Sequence, residues 1–373
     1  MCNKHATNVR GLEDNKKYSN TNIFSNISAD PKAEKQPQKS TPLDTLAQLY
    51  ENGKTRSNFS KRANAKFFTN NLVFKLANIK DSSLTKSYWN TYHCSMVLDQ
   101  TGKKLKGKYC KCKWCQVCNR IRTAQLIKGY SPQLEALGET WFITLSRPNI
   151  DAELLYDEID SILKQFNRVR RHFHDSKDSI VGLRKLECTF NPIRKDYHPH
   201  FHLIVKGDKM KAEAIRDYWL KINPNASIKG NDIRPVTSYK NGFLELFKYF
   251  TKLTTKTENG KYMVNAESLN VIFESMKGKR VFQPMGIKKV TEEIAELQTI
   301  ELSDLTNDTQ RWLYDERIGD WVNENGLLLT ENKVSKELCT IVGVNYDEYC
   351  HNRDTILYEF QPNESLTTNM VLI

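Results

Sequence analysis

The chain has 373 residues, 39% of them hydrophobic, and carries a net charge of +12, enough length for two or three domains and enough apolar residues for a core. No stretch approaches about 18 consecutive apolar residues, and the N-terminal MCNKHATNVR lacks an apolar run, so neither a membrane span nor a secretory signal is expected and the chain reads as cytoplasmic. The charge is segregated: residues 291–373 hold 17 acidic and 5 basic residues, which leaves +24 on residues 1–290 and points to a polyanionic partner rather than to a hydrolase of small molecules.

In chain order, residues 1–45 are rich in Asn, Ser, Lys, Gln and Thr and read as a disordered polar arm. Residues 46–130 read as a basic helical segment followed by a cysteine-rich module. A short helix is expected at Leu46–Tyr50, and a basic one at Asn58–Asn78 with Phe67, Phe68, Leu72, Phe74 and Leu76 as its apolar contacts. There is no internal repeat.

The module holds Cys94, Cys110, Cys112, Cys115 and Cys118, five of the nine cysteines. In a cytoplasmic chain such density points to metal ligation rather than disulfides. Cys115-x2-Cys118 has the knuckle spacing of tetrahedral zinc, and Cys110 and Cys94 supply a third and fourth thiolate if the 15 residues between them form a hairpin. Cys112 is then surplus or replaces Cys110, and His93 is an alternative to Cys94. An all-thiolate site leaves no open position, so its role would be structural. Lys111, Lys113 and Arg120, with Lys103, Lys104, Lys106 and Lys108, are expected to touch phosphates.

A helix is expected from Arg120 to about Leu137. From there the pattern runs strand Trp141–Ser146, helix Leu154–Arg171, strand Val181–Phe190, strand His200–Val205, helix Lys211–Ile222 and a short strand at Ile228–Pro235. Strand–helix–strand–strand–helix–strand predicts an α+β domain over residues 131–290, an antiparallel sheet with helices packed on one face. An acidic C-terminal region fills 291–373.

Tyr197-His198-Pro199-His200-Phe201-His202 carries 3 of the chain's 8 histidines into an apolar β-branched run. On a strand His198, His200 and His202 share a face, with Phe201 and Leu203 on the other, and imidazoles fixed on a rigid strand make a metal clamp. Gly242–Leu253 reads as a helix buried along Phe243, Leu246, Phe247, Phe250 and Leu253. Its other face presents Glu245, Tyr249 and Lys252, with the Cβ atoms of the first two about 5–6 Å apart.

These residues together resemble the replication initiator (Rep) proteins of rolling-circle plasmids, in the HUH endonuclease superfamily. Cys110-x4-Cys115-x2-Cys118 is similar to the cysteine element before the nuclease, Phe142-Ile-Thr-Leu-Ser146 to its first motif, and Tyr197–Ile204 to its metal motif. Glu245-Leu-Phe-Lys-Tyr249 is similar to the nucleophile motif of the type with a glutamate four residues before the tyrosine, and Arg280–Gly286 to a segment that follows the nuclease. Cys112 departs from the pattern. The likeness covers about Cys94–Lys289.

The resemblance implies an HUH nuclease palm that nicks one strand of origin DNA, double- or single-stranded, with a host helicase as partner. It implies that Tyr249 attacks a phosphodiester to give a 5′-phosphotyrosyl enzyme, and that Glu245 later activates water to terminate replication. A phenol, with a pKa of about 10, needs a metal that polarises the phosphate. His200 and His202 are two ligands and Glu187 the candidate third, an oxygen donor that suits Mn²⁺ or Mg²⁺. Lys252 would stabilise phosphate charge. His198 supports a ligand or contacts phosphate. The competing readings are an HUH transposase or relaxase, and a non-catalytic zinc-dependent DNA-binding repressor.

Overall fold

A computed structural model describes residues 55–237, 246–247, 253–256, 260–291 and 297–360. The expected arm over 1–45, the helix at Leu46–Tyr50 and most of the helix at Gly242–Leu253 lie outside the described residues. The chain runs through helices α1 (Arg56–Ala77) and α2 (Thr85–Tyr92), strands β1 (Val97–Thr101) and β2 (Lys104–Lys108), and helix α3 (Gln116–Glu135). Strand β3 (Thr140–Ser146), helix α4 (Leu155–Asp175), strands β4 (Gly182–Asn191) and β5 (Asp196–Lys206), helix α5 (Lys209–Ile222) and strand β6 (Ile233–Pro235) follow. A ribbon of β7 (Thr255–Lys256) and β8 (Tyr262–Met263), helix α6 (Ala266–Ser275) and strands β9 (Phe282–Met285), β10 (Leu297–Glu301), β11 (Thr309–Asp315) and β12 (Asp320–Val322) lead to helices α7 (Lys336–Val342) and α8 (Tyr346–Glu359).

The predicted antiparallel sheet is present, in the order β6-β3-β5-β4-β9. Helix α4 buries Leu155, Ile159, Ile162, Phe166, Val169 and Phe173, a stripe at helical spacing. Each such side chain gains about 1.5–3 kcal/mol on leaving water. Phe166 meets Phe201 of β5 at 5.1 Å between ring centroids, and Trp219 of α5 meets the same ring at 6.1 Å. Both helices thus cover the face of β5 that carries Phe201, which leaves the histidines on the other.

Pro199 sits within a central strand, where a missing N–H should break a ladder. Tyr197 exchanges both backbone bonds with Ile150, so Pro199, two residues on, would also point towards the β3 side. There β3 has already ended, its last paired residue being Ser146 opposite His200, and no bond is forfeited. The strand expected over Ile228–Pro235 is shorter than that: Ile228–Gly230 is a 3₁₀ turn and only Ile233–Pro235 is extended. Ser227 accepts from the Lys229 N–H and Asn231 donates to the Ser227 carbonyl, local bonds that compete with a ladder. Asn231 also accepts from the Ser146 N–H and ties this turn to the end of β3.

A second sheet, in the order β10-β2-β1-β11-β12, joins segments far apart in the chain. Hairpin β1–β2 occupies the residues between Cys94 and Cys110, and strands of the acidic C-terminal segment flank it on both sides. Trp312, Tyr314 and Trp321 are buried, and Trp321 packs on Phe59 of α1. The acidic segment also sets Glu301 opposite Lys104, pairs Arg311 with Asp99 and gives Asp304 to the Arg56 N–H. Charge separated along the chain is in this way brought together in space. Among the described residues no helix is long and apolar enough to cross a membrane.

Candidate functional site

Parity and register build the site. Glu187 of β4 lies opposite His200 of β5, Lys185 opposite His202, and Ser146 and Thr144 of β3 flank the two histidines on the other side. Residues directly opposite on antiparallel strands share a face, so all six point away from α4 and α5. His200 Nε2 lies 3.1 Å from His202 Nε2, and His202 Nε2 lies 3.7 Å from Glu187 Oε2. The ligand atoms of Glu187, His200 and His202 all fall within 4.8 Å of one another, a group that can hold a metal ion.

The tautomers suit ligation. The His198 carbonyl can only accept, so His200 Nδ1 donates to it at 2.9 Å and leaves Nε2 with its lone pair. His202 Nδ1 meets the Thr144 hydroxyl at 3.3 Å, and its Nε2 faces the cluster. Burial, helped by His202, holds the His200 pKa down at about 4, so the ring is neutral at ordinary pH. Burial alone would raise the Glu187 carboxyl, but Lys185, then His202 and His200, hold it down at about 2. His198 stands on the same face, its ring 4.9 Å from that of His200, yet it is not part of the ligand group. Burial, then His200, lowers its pKa to about 4, and its Nδ1 has no hydrogen-bond partner.

Glu245, Tyr249 and Lys252 lie outside the described residues, but Leu246 and Phe247 between the first two are described. Both are helical and buried. Phe247 lies between Tyr130 of α3 and Phe282 of β9, with ring centroids at 6.4 and 5.7 Å. Phe282 is the partner of Lys185 in the sheet, so Phe247 packs over the histidine face.

The cysteine cluster comprises Cys94, Cys110, Cys115 and Cys118, whose sulfurs lie within 4.8 Å of one another. Cys94 Sγ and Cys110 Sγ are 3.5 and 3.6 Å from Cys118 Sγ. Cys115 caps α3, its sulfur accepting from the Cys118 N–H, so the knuckle and the helix start are one structure. Cys112 contacts Ser87 as well as Cys110 and is not among the four clustered sulfurs, and exposed His93 packs against Tyr92. Thiols of Cys112, Cys115, Cys118 and Cys94 donating to Cys110 pull its pKa far below the ordinary value.

Two buried cations under this cluster were not among the sequence candidates. Lys66 donates to the Tyr92 carbonyl and Arg62 to the Tyr109 hydroxyl, which holds the segments leading into Cys94 and Cys110. Their i, i+4 spacing on α1 was the available signal. Lys185 was also missed, although it has the same strand parity as Glu187. Of the expected phosphate contacts, Lys111 is exposed in a left-handed turn at φ 61, Lys113 donates to the Lys279 carbonyl at 2.8 Å, and Arg120 is partly buried near Lys61.

The family model described as "Replication protein" (Rep_1) matches residues 102–324. That range takes in the central sheet with its Glu187–His200–His202 group, part of the cysteine cluster and most of the second sheet. A protein named "Protein rep" from Bacillus sp is 26% identical over 244 residues, 55% of this chain and 78% of that protein. "Protein rep" from Bacillus amyloliquefaciens is 24% identical over 57% of this chain and 73% of its own length. "Protein rep" from Staphylococcus aureus is 32% identical over 32% of this chain, and the match spans 56% of that protein. No solved structure matches. With the family model covering more than half of the chain, including the central sheet and its histidine face, the chain belongs to the Rep_1 family of replication proteins.

Proposed function

We propose that the chain is a plasmid rolling-circle replication initiator of the HUH endonuclease type, which binds its origin and nicks one DNA strand. The observation that carries this reading is the packing of Phe247 onto the sheet face that holds Glu187, His200 and His202. Tyr249 is two residues further on. Its oxygen attacks the scissile phosphorus, forming a 5′-phosphotyrosyl bond as the bond to the 3′-oxygen breaks, and the phenol proton passes to that leaving oxygen. One phosphate ester replaces another, so the strand can be rejoined. Lys252 stabilises charge on the phosphate, and Lys111, Lys113 and Arg120 contact the duplex backbone.

Two histidine nitrogens and a carboxylate suit Mn²⁺ or Mg²⁺, and 3.1 Å between the nitrogens fits adjacent positions on an octahedral ion with bonds of about 2.2 Å. Such an ion polarises the phosphate. The four thiolates suit zinc: bonds of about 2.3 Å in a tetrahedron place sulfurs about 3.8 Å apart, near the 3.5 and 3.6 Å found here.

The test is to incubate the protein with supercoiled plasmid carrying its own origin and Mn²⁺. Relaxed circles bearing covalently attached protein are the expected product, and EDTA should prevent them. His200→Ala and His202→Ala should each lower nicking by about a hundredfold or more and weaken Mn²⁺ binding in parallel. Glu187→Ala should lose less, and an unchanged Mn²⁺ affinity would remove it from the ligand set. Origin binding without any cleavage would instead favour the zinc-dependent repressor.

Termination separates this type of initiator from an HUH transposase or relaxase. Glu245 four residues before Tyr249 on a helix lets a water at the carboxylate reach a phosphate at the tyrosine. Glu245→Gln should keep the first nick within about tenfold and slow the hydrolytic step by about a hundredfold. Glu245→Tyr should permit a second transfer and runaway reinitiation. Both are read from single-stranded products on a template with an origin followed by a terminating copy. Clean termination by Glu245→Gln leaves the residue without a role.

A further inference from the structure

Lys185 is fully buried in the middle of β4, and its Nζ lies 2.7 Å from Glu187 Oε2. The same carboxylate oxygen faces His202 at 3.7 Å, and Lys185 stands opposite His202 in the sheet. An ammonium therefore sits on the one anionic donor of the proposed ion site. This is an unusual composition for a divalent site. Two neutral imidazoles, one carboxylate and one ammonium sum to zero, so an arriving ion brings two positive charges into a buried pocket without compensation. A buried charge of this kind is tolerated only when paired. Among the described residues the ligand group holds no second carboxylate, and a phosphodiester brings one negative charge to set against the ion's two.

We infer that Lys185 makes occupancy of the Glu187–His200–His202 site depend on the scissile phosphate, so that ion and DNA strand bind together and each binds weakly alone. The inference rests on the proposed nuclease reading. Lys185 acts as a positioning residue in two ways. Its N–H holds Oε2 and directs the other oxygen of Glu187 to the ion, and its charge weakens the empty site. Binding couplings are reciprocal, so whatever the strand adds to ion affinity the ion adds to strand affinity. The consequence for function is restraint, since the phenol of Tyr249 meets a competent ion only when a phosphate is in place.

The experiment measures Mn²⁺ binding by the loss of its free spin-resonance signal. It uses the full chain in a Tyr249→Phe background, with and without a single-stranded oligonucleotide that spans the mapped nick. The parent protein should bind Mn²⁺ at least about tenfold more tightly with the strand present. Lys185→Met should raise strand-free Mn²⁺ affinity by about tenfold and shrink the coupling to below about threefold. Lys185→Gln keeps a hydrogen-bond donor for Glu187 without the charge, and it should follow Lys185→Met. Zinc content and thermal unfolding check that each variant is folded. The parent protein alone decides the matter if neither variant folds: Mn²⁺ uptake without coupling overturns the inference. So do a strand-free affinity that is unchanged or weaker in Lys185→Met, and a Lys185→Gln variant that retains the parental coupling. No Mn²⁺ uptake with or without the strand counts against the nuclease reading itself.

Discussion

Tyr249→Phe is expected to abolish nicking and the covalent protein–DNA adduct together, while origin binding stays within about twofold. The substitution keeps the ring and removes only the oxygen that would bond to phosphorus. Deleting a covalent nucleophile costs about a millionfold when nothing nearby can replace it. Origin binding draws on phosphate contacts spread over a surface, so one uncharged phenol contributes little to it. Leu246 and Phe247 are fully buried, and Phe247 is held between Tyr130 and Phe282, so packing at the neighbouring turn is unaffected by the missing hydroxyl. The measurement is denaturing electrophoresis of end-labelled origin DNA, with a mobility-shift assay beside it. An adduct that persists and maps to Tyr239 or another tyrosine would take Tyr249 out of the mechanism.

The second large effect belongs to the cysteines. Cys115→Ser should release the single zinc expected per chain and lower the melting temperature by more than about 10 °C. Structural zinc in small modules contributes about 10–16 kcal/mol of apparent binding energy, comparable to the whole stability of an ordinary domain. Cys115 is fully buried and meets the other three sulfurs, so a hydroxyl there loses the thiolate ligand while it can still cap α3. The damage should reach further than the module. Hairpin β1–β2 is the middle of a sheet whose other strands carry Trp312 and Trp321, so tryptophan fluorescence should change with zinc loss. Cys112→Ser is the control: its sulfur contacts Ser87 and Cys110 but is not one of the four mutually clustered sulfurs, and zinc should be retained. Elemental analysis of freshly prepared protein checks both variants. Equal zinc loss in Cys112→Ser and Cys115→Ser would mean that the ligand set is wrong.

The chemistry-bearing residues were legible wherever they are local in the chain. Alternation in Tyr197–Val205 separates His200 and His202 from Phe201 and Leu203, because a strand has period two, and the structure keeps that division. The buried stripe of α4 follows from period 3.6 in the same way. Cys115-x2-Cys118 announces a knuckle because a helix start and a cap need that spacing. Glu187 was reachable with one further assumption, the parity of the neighbouring strand.

Other features depend on which strands meet, and no local period encodes that. The four sulfurs close only because hairpin β1–β2 returns Cys110 to Cys94. The acidic segment looks separate in sequence because its charge is separate, yet β10 and β11 supply both flanks of that hairpin, some two hundred residues from their partners. Lys185 looks like one more surface lysine of a basic chain. Strand parity puts it on the face of Glu187, but only the register of β4 against β5 sets it opposite His202. Sequence alone determined the residue types, their faces and the family they resemble, since these follow from short-range backbone geometry. Tertiary structure decided which faces are brought together and what charge each buried group feels, because pairing and desolvation arise between segments that the chain order leaves apart.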